Sequence, residues 1–241
     1  MDTTACTIRT LHHHDEMTMV PTVLQQIWGS AIPLVNVELL CAIAESGGYV
    51  AVATDADNIV GASFGFLGRH DGAEALHSHI TGVLPGVQHG GVGRAMKFHQ
   101  REWAAERGIG CITWTFDPLV RRNARFNIGV LGAEVASYHV NFYGPMTDAM
   151  NAHDETDRLL MAWSTSGDAD ELGTESDSTE PTVAVATPPD IVAMRRTDTD
   201  AAMAWRLTLR RELGERLAAG ARVVGFSEGG DYLVTDSSGD R

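Results

Sequence analysis

The chain has one lysine, Lys97, in 241 residues, and that scarcity removes several classes of function at once. With no basic stripe and a formal net charge of -14, it would repel phosphate backbones and anionic lipid. Nucleic acid and membrane surfaces are therefore not expected partners. Cysteine is as sparse: Cys6, Cys41 and Cys111 are odd in number, widely spaced and without a Cys-x-x-Cys pair, which argues against a disulfide framework and a zinc knuckle. Residues 1–15 lack the apolar core of a signal sequence, and no stretch approaches the roughly 20 apolar residues of a membrane span, so the cytoplasm is the expected location. No period of about 20 to 50 residues recurs, which sets solenoids and propellers aside.

What remains reads as alternating strands and helices. Residues 7–11 form a short strand, His12 to His14 a loop, and 17–30 and 34–45 two helical stretches parted by Pro33. The runs 49–54 and 59–68, split by a polar turn, predict an antiparallel hairpin, and 76–84 is a third strand. Residues 91–107 carry Val92, Met96 and Trp103 on one helical face, with charged residues opposite and Gly108 as the stop. A strand over 111–116, a helix over 121–131 and a strand pair over 135–143 and 159–163 follow. From 166 to 181 the composition turns to Asp, Glu, Ser, Thr and Pro, which cannot bury enough apolar surface to order itself and predicts a flexible acidic linker. Beyond it, 182–186 predicts a strand, 199–219 a helix, and 221–226 with 232–235 a hairpin. That is too small a core to stand confidently alone, so this tail is expected to dock elsewhere.

The chemistry sits at Gln88-His89-Gly90-Gly91-Val92-Gly93, a glycine-rich turn between a strand and a helix. A helix N-terminus offers unpaired N–H groups and a favourable dipole, and glycine lets backbone close round an anion. A dinucleotide fingerprint would need glycine at Met96, and a P-loop would need Gly-Lys-Ser or Gly-Lys-Thr; both fail. The segment resembles the Gln/Arg-x-x-Gly-x-Gly/Ala signature with which the GNAT superfamily of acyl-CoA N-acyltransferases holds the coenzyme A pyrophosphate, here Gln88, Gly91 and Gly93. The order of elements from 7 to 163 also resembles the GNAT fold. The runs 114–127, 131–133 and 141–145 are similar to a bacterial and archaeal group of predicted acetyltransferases in which a strand-helix-hairpin extension recurs. The resemblance implies an α/β fold with a mixed, mostly antiparallel central sheet flanked by helices and a small C-terminal α+β extension. The implied division is an acyltransferase domain over 1–165, a linker over 166–181 and the extension over 182–241.

The resemblance implies coenzyme contacts from Val83, Gln88, His89, Gly90, Gly91, Val92, Gly93, Arg94 and Asn123. Asn123 can equally be a helix cap. His77 and His79 lie two apart on the motif strand, hence on one face, and resemble the paired histidines of arylalkylamine N-acetyltransferases. Neutral imidazole can take the proton an ammonium must lose, and His79 is the preferred base. Many GNAT enzymes carry a tyrosine acid where Ile128 stands here, which leaves Tyr143 as the nearest candidate to protonate the leaving thiolate. Asp117 could meet an acceptor amine or simply form the turn before Pro118. Arg121, Arg122 and Arg125 could hold a carboxylate or form a solvated helix face. The histidines at 12–14 have no spaced partners, and no metal is assigned.

The expected activity is transfer of an acyl group, acetyl by default and succinyl as a variant, from acyl-CoA to a primary amine of a small molecule such as an amino acid. A segment over 143–157 would close over the acceptor. The alternative is a catalytically silent acyl-CoA-binding sensor. An exposed strand and the tail leave room for a homodimer.

Overall fold

A computed structural model describes residues 6–56, 58–87, 90–144, 154–167 and 181–235. By contact the chain divides into two compact units, 1–114 with 164–166 and 115–163 with 167–241.

The first unit is built on β1 (Thr7–Thr10), β2 (Tyr49–Asp55), β3 (Asn58–His70), β4 (Ala73–Val83) and the start of β5 (Cys111–Phe116), adjacent in that order. The first four pair antiparallel and β4 pairs parallel with β5, the mixed sheet that the resemblance implies. Residues 49–53 of β2 are all buried, because helices cover both faces. One face packs against α1 (His14–Met17), α2 (Val20–Trp28) and α3 (Val37–Glu45) through Met17, Leu24, Leu40, Val50, Val52 and Phe64. The other packs against α4 (Val92–Ala105) through Ala53, Val60, Val83 and Met96.

The early helices depart from expectation for local reasons. The stretch at 17–30 is helical over Val20–Trp28, where Pro21 opens α2 in its first turn, and the short α1 at His14–Met17 precedes it, starting within the expected histidine loop. The stretch at 34–45 begins only at Val37, where the Asn36 side chain accepts the Leu39 N–H at 2.9 Å and caps the helix.

The second unit holds the end of β5, α5 (Arg121–Ala124), the hairpin of β6 (Glu134–His139) and β7 (Arg158–Ser164), and a three-stranded antiparallel sheet ordered β8 (Val183–Ala186), β10 (Asp231–Thr235), β9 (Arg222–Phe226). The helix expected over 121–131 is α-helical only to Ala124 and continues as a π-helical turn over Arg125–Val130. In the tail, α6 (Ile191–Thr197), capped by the Asp190 side chain, is an addition to the sequence reading. The Asp198 side chain then caps α7 (Thr199–Leu209), which runs through a π turn into α8 (Glu215–Ala218). The linker expected over 166–181 lies mostly outside the described residues. Among the described residues no helix is long and apolar enough to cross a membrane.

Candidate active site

In the first unit the site begins where β4 loses its regularity. Phe64 pairs with Ile80 and Gly65 with Ser78, so His79 is an extra residue, a β-bulge that re-aims the strand. Gly65 is required there, since a Cβ on it would stand 2.7 Å from the His77 carbonyl oxygen. The parallel register of β4 with β5 covers only Leu76 with Ile112 and His77 with Thr113, while β4 runs on to Val83. The bulge and the short parallel register thus coincide at the histidines.

His77 and His79 share a face, with ring centroids 6.2 Å apart. Phe66 lies beside both, 5.2 Å from His77 and 5.7 Å from His79, and Phe64 is 5.4 Å from His79. Burial, together with the neighbouring His79 and Lys97, lowers the His77 pKa to about 4, and its Nδ1 is 3.1 Å from Thr113 Oγ1. His79 is more exposed, and partial desolvation lowers its pKa as well. Both rings are therefore neutral near pH 7.

After β4 the chain turns into α4. Gly91 caps this helix with φ 76°, a conformation that favours glycine, and no side chain caps it. The first intrahelical bond is donated by the Ala95 N–H to the Gly91 carbonyl at 2.9 Å. The N–H groups of Val92, Gly93 and Arg94 therefore precede the helical ladder and carry the positive end of the dipole. Val92 is anchored in the core with Val83 and Met96, which fixes the turn to the end of β4. A Cβ on Gly93 would lie 3.7 Å from Val83 Cγ2, and nothing stands within 4 Å of one on Gly91, so the turn presents bare backbone. Arg94 adds a cation, its guanidinium 4.3 Å from the Phe98 ring centroid. Gly90 lies in the same turn, its N–H bonded to the Val87 carbonyl at 3.2 Å. Gln88 and His89 lie outside the described residues.

One residue of this region escapes the sequence reading. Lys97, one of the charged residues on a helix whose apolar face is set by Val92, Met96 and Trp103, is only 5% exposed. Its Nζ donates to Ser78 Oγ at 3.1 Å and lies 3.7 Å from the Trp114 ring centroid. Ser78, Thr81, Ser63 and Gln100 continue the polar cluster across β3, β4 and α4. The one available signal was its rarity. Because Ser78 alternates with His77 and His79, this cluster lies on the opposite face of β4.

The second unit carries the remaining expected residues. Asp117 is buried and ion-paired with Arg195 and Arg206, and its Oδ1 accepts the Leu119 N–H at 3.0 Å. Those pairs hold its carboxyl well below the ordinary carboxylate range despite burial. The turn-forming reading fits this geometry, whereas a carboxylate so enclosed is poorly placed to receive an amine. Arg125 donates to the Glu228 carbonyl at 2.8 Å, and Arg121 to the side chain and carbonyl of Thr187, so both tie to the tail; Arg122 is exposed. Asn123 is not a cap, since Val120 holds that position and Asn123 lies within α5. Ile128 lies in the π turn. The Tyr143 hydroxyl is 3.0 Å from Thr115 Oγ1, with Arg158 5.4 Å from its ring centroid. Most of the loop expected to close over an acceptor, at 145–153, lies outside the described residues.

No family model matches the sequence, and no curated protein matches it. Solved structures do. The Salmonella typhimurium protein yncA, described as a putative acetyltransferase and solved with its cofactor acetyl-CoA, aligns with TM-score 0.53 and 17% identity over 68% of this chain and 96% of its own. The chain has the GNAT fold. Aminoglycoside 6'-acetyltransferase type Ii shares this GNAT fold at TM-score 0.51, with 13% identity over 67% of this chain and 99% of its own. At such identities the likeness is one of fold, and the chemistry of this chain has to be argued from its own residues.

Proposed function

We propose that the chain is an acyl-CoA-dependent N-acyltransferase that moves an acyl group, acetyl in the first instance, to a primary amine of a small molecule. The observation that carries the reading is the uncapped, glycine-led N-terminus of α4, joined by one turn to the strand that bears the His79 bulge. Bare N–H groups, the helix dipole and Arg94 suit a pyrophosphate, and among the described residues no side chain caps those N–H groups. The structures that share the fold are described as acetyltransferases, one of them with acetyl-CoA bound.

In this reading the amine nitrogen attacks the thioester carbonyl carbon, the C–S bond breaks, and the ammonium proton passes to His79. His79 is the better base of the pair, because deeper burial, with His79 itself and Lys97 as neighbours, holds the His77 pKa to about 4. Tyr143 or water returns a proton to the thiolate. The succinyl variant draws no support from the arginine trio, since two of its members hold the tail.

The test is a pair of variants read by two methods. Gly91→Val forces a β-branched side chain onto a positive φ and is expected to weaken coenzyme A binding at least about tenfold by calorimetry. His79→Ala is expected to retain that binding and to lose about a hundredfold in amine-dependent thiol release. Tight binding by Gly91→Val would discard the pyrophosphate assignment. A wild-type protein that binds acetyl-CoA yet releases no thiol with any amine would be the silent sensor.

A further inference from the structure

We infer that the acceptor is a primary amine bearing a compact apolar group, alkyl or aryl, which lies in a recess between α3 and β3 beside the histidine pair; this rests on the acyltransferase reading above. The recess, of about 390 Å³, is lined by Leu39, Ala42, Ile43 and Ser46 on the α3 side and by Phe66 and Leu67 of β3. That volume falls at the small end of small-molecule sites. Leu39, Phe66 and Leu67 are 51%, 41% and 37% exposed, so this face spends apolar surface on water instead of on the core beneath it.

Three features fix the chemistry of the occupant. Among the described residues Ser46 is the one polar side chain in the lining and none is charged, so a carboxylate or second ammonium against these residues would be desolvated without a partner from them. Phe66 belongs both to the recess and to the aromatic group with His77 and His79, so an amine whose apolar end lies against Phe66 can turn its nitrogen toward the imidazoles. Neutral rings there can accept an ammonium proton, and the exposed ring of Phe66 suits the cation before it is lost. The formal charge of -14 also draws a cation in preference to an anion. A recess this small cannot by itself supply the roughly 800 Å² per partner of a stable protein interface.

The experiment is steady-state thiol release from acetyl-CoA with hexylamine and phenethylamine compared with ethanolamine, putrescine and glycine. The apolar amines are expected to exceed the polar ones at least about tenfold in kcat/KM, the discrimination that a few buried methylenes provide. Leu39→Glu and Ala42→Glu, both at exposed positions of α3, are each expected to cut that ratio severalfold while circular dichroism melts stay near wild type. Equal or better use of the polar amines overturns the inference and leaves the acyltransferase reading intact. A ratio unchanged in both variants, or sedimentation showing that a second copy covers this face, also overturns the recess assignment. Absence of thiol release with every amine takes down the acyltransferase reading and this inference with it.

Discussion

The chain's only lysine is buried, and burial pulls the Lys97 pKa from the ordinary 10.5 to about 7. Its neighbours are hydroxyls, an amide and an indole face, so desolvation is opposed by hydrogen bonds and a cation–π contact rather than by a counter-charge. Between pH 7 and 10.5 the unfolded chain keeps a proton that the folded chain has released, so stability should rise with pH through that window. Below pH 7 both states are charged and the burial penalty is felt in full. Wild-type unfolding free energy from urea titrations should therefore climb from pH 7 to pH 9.5 by on the order of 3 kcal/mol more than that of Lys97→Met. Parallel midpoints in the two proteins would assign the rise to other groups. Nothing in the order of residues marks Lys97 as buried: it follows Met96 on an amphipathic helix, and its partner Ser78 is fixed only by how β4 and α4 pack. The bulge at His79 was hidden for the same reason, since the His-Ser-His run is compatible with a regular strand and the slip shows only in pairing with Gly65.

Whole elements were easier to read, because each carries its own local signal. The polar turn between β2 and β3, Gly108 after α4 and the apolar run of β5 lie where the structure ends or begins elements. Hydrophobic period and turn residues supply those boundaries without tertiary information. What joins elements far apart in the chain was not legible. In the second unit Asp117 and Asp154 meet Arg195 of α6 and Arg206 of α7, and all four side chains are at most 5% exposed. Arg206 donates to Asp117 at 2.9 Å and 3.0 Å and to Asp154 at 2.8 Å, so two carboxylates face two guanidiniums in a buried volume, with buried Arg158 also acting on Asp117. Arg206→Met removes one cation and leaves the carboxylates under-paired, so it should cost about 3 to 5 kcal/mol in urea unfolding. Adding Asp117→Asn should recover part of that loss by removing the stranded charge. A double variant less stable than either single change would contradict this account of the network.

For the molecule as a whole, the charge of -14 acts on the two proposed substrates in opposite senses. Acyl-CoA is a polyanion that the chain repels at long range, although it meets a locally positive site at the α4 N-terminus and Arg94. The amine is a cation that the same field attracts. Contacts made within a few ångströms are little screened, whereas the long-range field decays over about 10 Å at 0.1 M salt. Salt should therefore remove the repulsion while sparing most of the local attraction. Raising ionic strength from about 0.02 M to about 0.3 M is expected to lower KM for acetyl-CoA and to raise KM for the amine. Steady-state kinetics at the two salts, with one substrate saturating in turn, provide the check. If both constants rise together, the local cationic cradle outweighs the net charge in capturing acetyl-CoA, and neutralising Arg94 should then reverse the sign of its salt dependence.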